Sequence, residues 1–422
     1  MRIALVVHKF PPESIGGTEI YTRNLACEMS RQGHQVFVFY RGSEPSTEYL
    51  ELPHREQHEF EAYRVPAGLN EQTAPPLTQF LDTFFNRDIE RAFQRFLDEV
   101  DPEIIHFQHL MLLSYRLVAL AKRRGIPTFL TLHDYWFICA NSQLIWPDAQ
   151  ICAGKALGLN CARCALSARM SSSLMHFLRP MVAPFMRIRD ILVRRAALKA
   201  DRLIAPSHFL IQQYVEAGFP ANKFTYLENG IDVERIQRYA RQPSIDGKLR
   251  FTYLGSLAWQ KGVHVLIEAF SDVPSDKAIL RIYGDPTIFP DYAAHLEEIV
   301  NTNNTFFEGS VPNEEVGRVL AETDVIMVPS LWYENSPVVI QEAFAAGVPV
   351  IASSIGALRE KVDVESCLFP VGDVDALRRT LHRAIVDKAC LTSSEKSPSP
   401  HSISEAASQL TRLYGSHDLE LR

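Results

Sequence analysis

No stretch of this chain approaches the ~18 consecutive apolar residues that a membrane-spanning helix requires. The opening run Ile3-Ala-Leu-Val-Val7 is also too short for an export leader and reads as a buried strand. A cytoplasmic location is the expectation. Basic residues are not in excess: 43 Lys and Arg stand against 50 Asp and Glu, a formal net charge of -7 that gives no support for a nucleic-acid partner. Cysteine is sparse and odd in number, seven in 422 residues, which argues against a disulfide framework. The glycine pair in Ser14-Ile-Gly-Gly-Thr-Glu19 is not G-x-G-x-x-G, so the fingerprint of nicotinamide and flavin sites is missing.

What is present is a long alternation of strand and helix patterns. The first half reads as strand Ile3 to Val7, helix Thr18 to Arg31, strand Gln35 to Phe39, helix Phe84 to Val100, strand Ile104 to Phe107, helix Leu113 to Arg124, and strands Thr128 to Leu132 and Arg202 to Ala205. Gln242-Pro-Ser-Ile-Asp-Gly247 breaks the rhythm as a linker. A second alternation follows: strand Arg250 to Leu254, helix Gly262 to Phe270, strand Ala278 to Tyr283. The chain is too long for one ordinary core, and the pattern predicts two doubly wound α/β domains. Their expected bounds are 1–240, carrying a cysteine-containing insertion at about 139–200, and 248–390. Residues 391–422 are expected to supply a Ser/Pro-rich connection and a last helix around Ser404 to Tyr414.

The most informative segment runs from Asp324 to Ser353. Val325 to Val328 reads as a buried parallel strand. Ser336 is placed to cap a helix with Pro337 at its first position, where the missing N–H costs nothing. Gly347 stops that helix, and Val348 to Ala352 forms the next strand. The loop then lies at the carboxyl edge of a parallel sheet, where such sheets bind ligands. Free N–H groups of Val338 and Val339 make an anion seat, bracketed by Glu334 in the loop and Glu342 on the helix. A phosphate seat beside two carboxylates suits a sugar nucleotide.

Glu334 and Glu342 match the E-x7-E element, and the surrounding sequence resembles the retaining glycosyltransferases of family 4, glycosyl transferases group 1, from Gly16 through Ala352. The resemblance implies the GT-B fold: two Rossmann-like domains facing a central cleft, the C-terminal helix crossing back to the first. It also implies a nucleotide-sugar donor, a glycan or lipid-linked acceptor hydroxyl, front-face attack with the leaving phosphate as base, and no obligatory metal. Glu334 then lies near the donor sugar, with Asn335, Ser336 and Pro337 beside it, and Glu342 holds the ribose hydroxyls. Lys261, in Tyr253-Leu-Gly-Ser-Leu-Ala-Trp-Gln-Lys-Gly262, matches the lysine of the family's diphosphate clamp. Ser256 stands where many members carry the clamp arginine, which puts the strength of phosphate binding in question. Gly16 and Gly17 match a glycine pair near donor phosphate and acceptor. His133, at a strand end in Thr131-Leu-His-Asp-Tyr-Trp136, matches a histidine near the donor sugar, with Asp134 as the residue to set its tautomer. His106 and His109 are candidates for the acceptor pocket. The same two-domain plan also serves epimerases, phosphorylases and nucleotide-sugar-binding regulators.

Two features stand outside this resemblance. Cys139, Cys152, Cys161 and Cys164 crowd one irregular stretch with a single C-x-x-C, which fits either a structural zinc site or four free thiols. From Arg163 to Lys199, eight basic residues face one acidic residue, Asp190, among many apolar ones. That surface suits anionic lipid, as for an enzyme peripheral to the membrane, or is a solvated face over a core. Pro180 and Pro184 are expected to break it into pieces.

Overall fold

The computed structural model describes residues 1–45, 54–55, 60–67, 75–147, 150–167, 172–362, 364–387 and 399–420. They form two units, Met1–Gly230 with Ile403–Arg422, and Ile231–Ser402. In the first unit, near-continuous apolar runs make strands that are covered on both faces, as parallel sheets require. The strands are β1 (Arg2–Val7), β2 (Gln35–Pro45), β3 (His54–Arg55), β4 (Glu61–Ala67), β5 (Ile104–Phe107), β6 (Thr128–Thr131), β7 (Arg202–Ala205) and β8 (Phe224–Tyr226). Their order is β3-β4-β2-β1-β5-β6-β7-β8. All neighbours pair in parallel except the short β3 against β4. The order reverses between β1 and β5, which puts the ligand-binding crevice of this sheet at their carboxyl ends.

The last helix, Ile403–Glu420, belongs to this first unit. Ile403, Ala406, Ala407, Leu410 and Tyr414 fall on one helical face and enter the core with Ile3, Leu5, Leu25 and Met29. His106 fixes it from below: its Nδ1 lies 2.6 Å from the Tyr414 hydroxyl and its Nε2 2.7 Å from Thr131 Oγ1. With both ring nitrogens engaged inside the core, His106 is a structural residue and does not line an acceptor pocket.

The second unit contains β9 (Leu249–Leu254), β10 (Ala278–Tyr283), β11 (Thr305–Gly309), β12 (Val325–Val328), β13 (Val350–Ser353) and β14 (Leu368–Phe369). Their order is β11-β10-β9-β12-β13-β14, parallel throughout, and it reverses between β9 and β12. The division falls at 230/231 rather than at the 242–247 break. Ile231 and Ile236, the latter on the Val233–Gln237 helix, pack into the second core, so the exposed turn around Ile245 joins two parts of one unit. Most of the expected connection at 391–400 lies outside the described residues.

The insertion departs most from expectation. Ser172–Ala197 is a single 26-residue helix that runs through Pro180 and Pro184. Both prolines lie on its exposed side. The carbonyls that lose their partners there can bond to water, which removes much of the usual cost of an interior proline.

Burial holds His106 and His133 neutral, pushing each pKa down to about 3, and the charge of a neighbouring histidine adds to the effect. The unfolded chain takes up these protons below the ordinary pKa and the folded chain does not, so stability falls as pH drops from the ordinary histidine value toward 3. Each such histidine should cost about 2 kcal/mol between pH 6.5 and pH 5. Urea midpoints at pH 7 and pH 5 measure this, and His106→Asn should flatten the slope by about one proton.

Candidate active site

Two loops of the second unit meet where its strand order reverses. After β9 the chain makes a tight turn at Trp259–Lys261 and enters the helix Val263–Phe270. Gly262 sits at φ +70°, and a Cβ there would lie 2.1 Å from the Pro329 carbonyl oxygen. Only glycine allows that approach to the loop after β12. The Leu331 N–H donates to the Gln260 carbonyl at 2.8 Å and stitches the two loops together. Lys261 and Glu334 are thereby brought into contact.

Glu334 is 6% exposed, and one of its oxygens, Oε1, accepts three hydrogen bonds. The donors are Lys261 Nζ at 2.7 Å, Ser330 Oγ at 2.7 Å and Trp332 Nε1 at 2.9 Å. Lys261 Nζ also lies 5.4 Å from the centre of the Trp332 ring, within cation–π range. The carboxylate is thus paired and fixed in direction, as a buried charge must be. Ser330 and Trp332 were not among the sequence candidates; their signal was their place within four residues of Glu334.

The next helix is Val338–Ala345, and Pro337 rather than Ser336 is its N-cap. The Ser336 hydroxyl makes no capping bond and is buried without a partner among the described residues, just ahead of the helix start. The first-turn N–H groups of Val338 and Val339 have no helical acceptor. At the other end the N–H of Gly347, at φ +66°, donates to the Phe344 carbonyl at 3.0 Å, and the Val348 N–H donates to the Ala343 carbonyl at 2.8 Å. This is a Schellman stop, as the glycine predicts.

Glu342 is buried on this helix and pairs with Arg235. Burial raises its pKa, and the guanidinium opposes the rise. Arg235 was missed from the sequence, because its partner is more than a hundred residues away in the chain. It comes from the Val233–Gln237 helix, whose start is capped by Asp232 Oδ1 accepting from Arg235 N–H at 3.0 Å. Ser256 is exposed, and its carbonyl accepts the Tyr253 hydroxyl at 2.7 Å.

The first unit carries its own cluster at the carboxyl ends of β1, β5 and β6. Gly16 is the N-cap of the helix Gly17–Arg31, and Glu19 in its first turn lies 3.5 Å from His8 Nε2. The rings of His8 and His109 are 4.5 Å apart. His109 Nδ1 accepts from Met111 N–H at 3.0 Å, so its Nε2 carries the proton toward Asp134 Oδ2, also at 3.0 Å. Asp134 therefore orients His109. The expected Asp134–His133 relation is replaced by His133 Nε2 donating to Gln108 Oε1 at 2.8 Å, with the Tyr21 ring 5.4 Å away.

Of the two readings of the four cysteines, the geometry gives the zinc site no support. Among the described residues, no three His, Cys, Asp or Glu side chains are gathered to hold a metal ion. Cys161 packs into the small apolar cluster of Ala162, Ala183 and Met186, and burial pushes its thiol pKa up to about 12. Burial raises Cys139 as well.

Residues 15–235 match the family described as Glycosyltransferase Family 4, and residues 248–387 match Glycosyl transferases group 1. The chain is 26% identical over 384 residues to a glycogen synthase of Mycobacterium tuberculosis, covering 86% of this chain and 80% of the relative. It is 26% identical over 385 residues to a GDP-mannose-dependent alpha-mannosyltransferase of the same organism, covering 89% and 85%. Among solved structures, the Anabaena protein HepE in complex with UDP and glucose superposes with a TM-score of 0.65 at 17% identity, over 99% of this chain and 100% of that one. That likeness fixes the fold as GT-B. With one family model spanning more than half its length and the group 1 model covering its second unit, the chain belongs to the family 4, group 1 glycosyltransferases.

Proposed function

We propose that the chain transfers a sugar from a nucleotide-diphosphate donor to an acceptor hydroxyl of a glycan or lipid-linked glycan, with retention of the anomeric configuration. The observation that carries this reading is the Lys261–Glu334 pair, held at the strand-order reversal with Glu334 four residues ahead of the Val338 helix start. N–H groups of Val338 and Val339, the Ser336 hydroxyl and the Lys261 ammonium all suit a diphosphate. Glu334, with one oxygen held by three donors, has its other oxygen to offer a donor-sugar hydroxyl. Arg235 holds Glu342 Oε1, so the second oxygen of Glu342 is the one offered to the ribose.

In the step proposed, the bond between the anomeric carbon and the diphosphate oxygen breaks as the acceptor oxygen bonds to the same carbon from the same face. The acceptor proton passes to the departing phosphate. Lys261 and the helix N-terminus stabilise the negative charge that grows there. This charge compensation makes no metal obligatory. The UDP bound by HepE and the GDP-mannose dependence of the mannosyltransferase support a sugar nucleotide while differing in base.

A panel of nucleotide sugars, followed for binding and slow hydrolysis, should identify one preferred donor, and activity should survive EDTA. NMR of the product should give the donor's anomeric configuration; an inverted product would overturn the retaining assignment. Lys261→Ala and Glu334→Ala should each lower kcat about a hundredfold or more, and full activity in both would sink the site. Arg235→Ala should destabilise the fold by about 3 kcal/mol, because it strands a buried carboxylate. Adding Glu342→Gln should restore most of the urea midpoint without restoring donor affinity, which separates the ribose role from folding.

A further inference from the structure

The helix Ser172–Ala197 has two unlike faces. Ala183, Met186, Arg189, Val193, Ala196 and Ala197 point inward, the first two packing with Ala162 of the Leu159–Ser167 helix. On the other side Phe177 is 74% exposed, Met181 62%, Phe185 59%, Ile188 55% and Ile191 40%. Their spacing of three and four residues makes one stripe along the helix, and the exposed Pro180 and Pro184 fall within it. The fifteen residues from Phe177 to Ile191 give the stripe a length of roughly 20 Å. Single exposed apolar residues need no explanation, but a continuous stripe of large ones marks an interaction surface.

The exposed charges contributed by this helix and the turn after it are of one sign. Arg187, Arg195 and Lys199 are exposed along it. Asp190 is the only acidic residue between Arg163 and Lys199. It is turned inward, 2.7 Å from Lys155 Nζ and 3.2 Å from Arg189 Nη1. No carboxylate of this helix therefore stands at the exposed face. Among the described residues, no helix is long and apolar enough to cross a membrane.

We propose that this face docks on a bilayer surface containing anionic lipid. The helix lies in the plane of the interface, with Phe177, Met181, Phe185, Ile188 and Ile191 entering the acyl boundary and the cationic side chains meeting lipid phosphates. A second copy of the chain fits less well, because a symmetric contact through this stripe sets Arg187 and Arg195 against cations of the same kind. The surface is independent of the donor-site reading, so either can fail alone.

Flotation of the full chain with vesicles tests the proposal. The protein should float with equal parts phosphatidylcholine and phosphatidylglycerol, not with phosphatidylcholine alone, and raised salt should weaken binding. Phe177→Ser with Met181→Ser and Phe185→Ser should lower binding at least tenfold while leaving far-UV circular dichroism and donor hydrolysis unchanged. Arg187→Gln with Arg195→Gln should lower it roughly twenty-five-fold, at roughly fivefold per lost charge. Absence of flotation with the anionic vesicles overturns the proposal, as does equal binding by the triple serine variant. A wild-type dimer in sedimentation that the same variant dissociates, without lipid binding, would assign the stripe to a second copy.

Discussion

An ammonium shared with a buried carboxylate, Lys261 on Glu334, sets the geometry of the second unit's site. Neither residue could hold its place alone. An unpaired carboxylate at 6% exposure would be strongly disfavoured, and a lysine on a surface turn would sample many rotamers. The pair exists because the strand order reverses between β9 and β12, so the loops that follow these two strands are neighbours. Gly262 then lets the backbones touch, and the Leu331–Gln260 hydrogen bond locks their register.

The first unit meets a similar demand with neutral rather than charged groups. His8, His106, His109 and His133 follow or occupy strands β1, β5 and β6. Burial lowers the pKa of His8, His106 and His133, and each also feels the charge of a neighbouring imidazole. These three therefore stay uncharged at neutral pH and act as fixed donors and acceptors. His106 uses both nitrogens to bind the last helix, whereas His133 and His109 are oriented by Gln108 and Asp134 at the strand ends.

What the sequence made legible follows from how local each signal is. Val325 to Val328 is a short apolar run whose burial on both faces could only be a parallel strand, and Gly347 ends its helix by backbone chemistry that no other residue type supplies as cheaply. The E-x7-E spacing found Glu334 and Glu342 because both lie within one strand–loop–helix unit. Arg235 was invisible: its ion pair with Glu342 depends on how the Val233–Gln237 helix packs, and nothing nearby in the chain announces that. Asp134 misled for the same reason, since adjacency to His133 suggested a contact that alternation along the chain directs to His109 instead. Pro180 and Pro184 suggested breaks because local rules treat an interior proline as a lost hydrogen bond. Which side of the helix a proline occupies is a tertiary fact, and here both lie on the exposed side.

The two glutamates also explain each other. Glu334 is matched by Lys261 and Glu342 by Arg235, so the four side chains carry no net charge between them. The uncompensated field in their midst is then that of the Val338 helix start, equivalent to roughly half a positive charge. Removing either cation would reverse that sign and repel a diphosphate; removing either carboxylate would leave a cation free to bind phosphate without directing the sugar. On the proposed function, attraction for the donor and its orientation fall to different members of one neutral set, and the helix start supplies the positive field that a guanidinium in place of Ser256 would add.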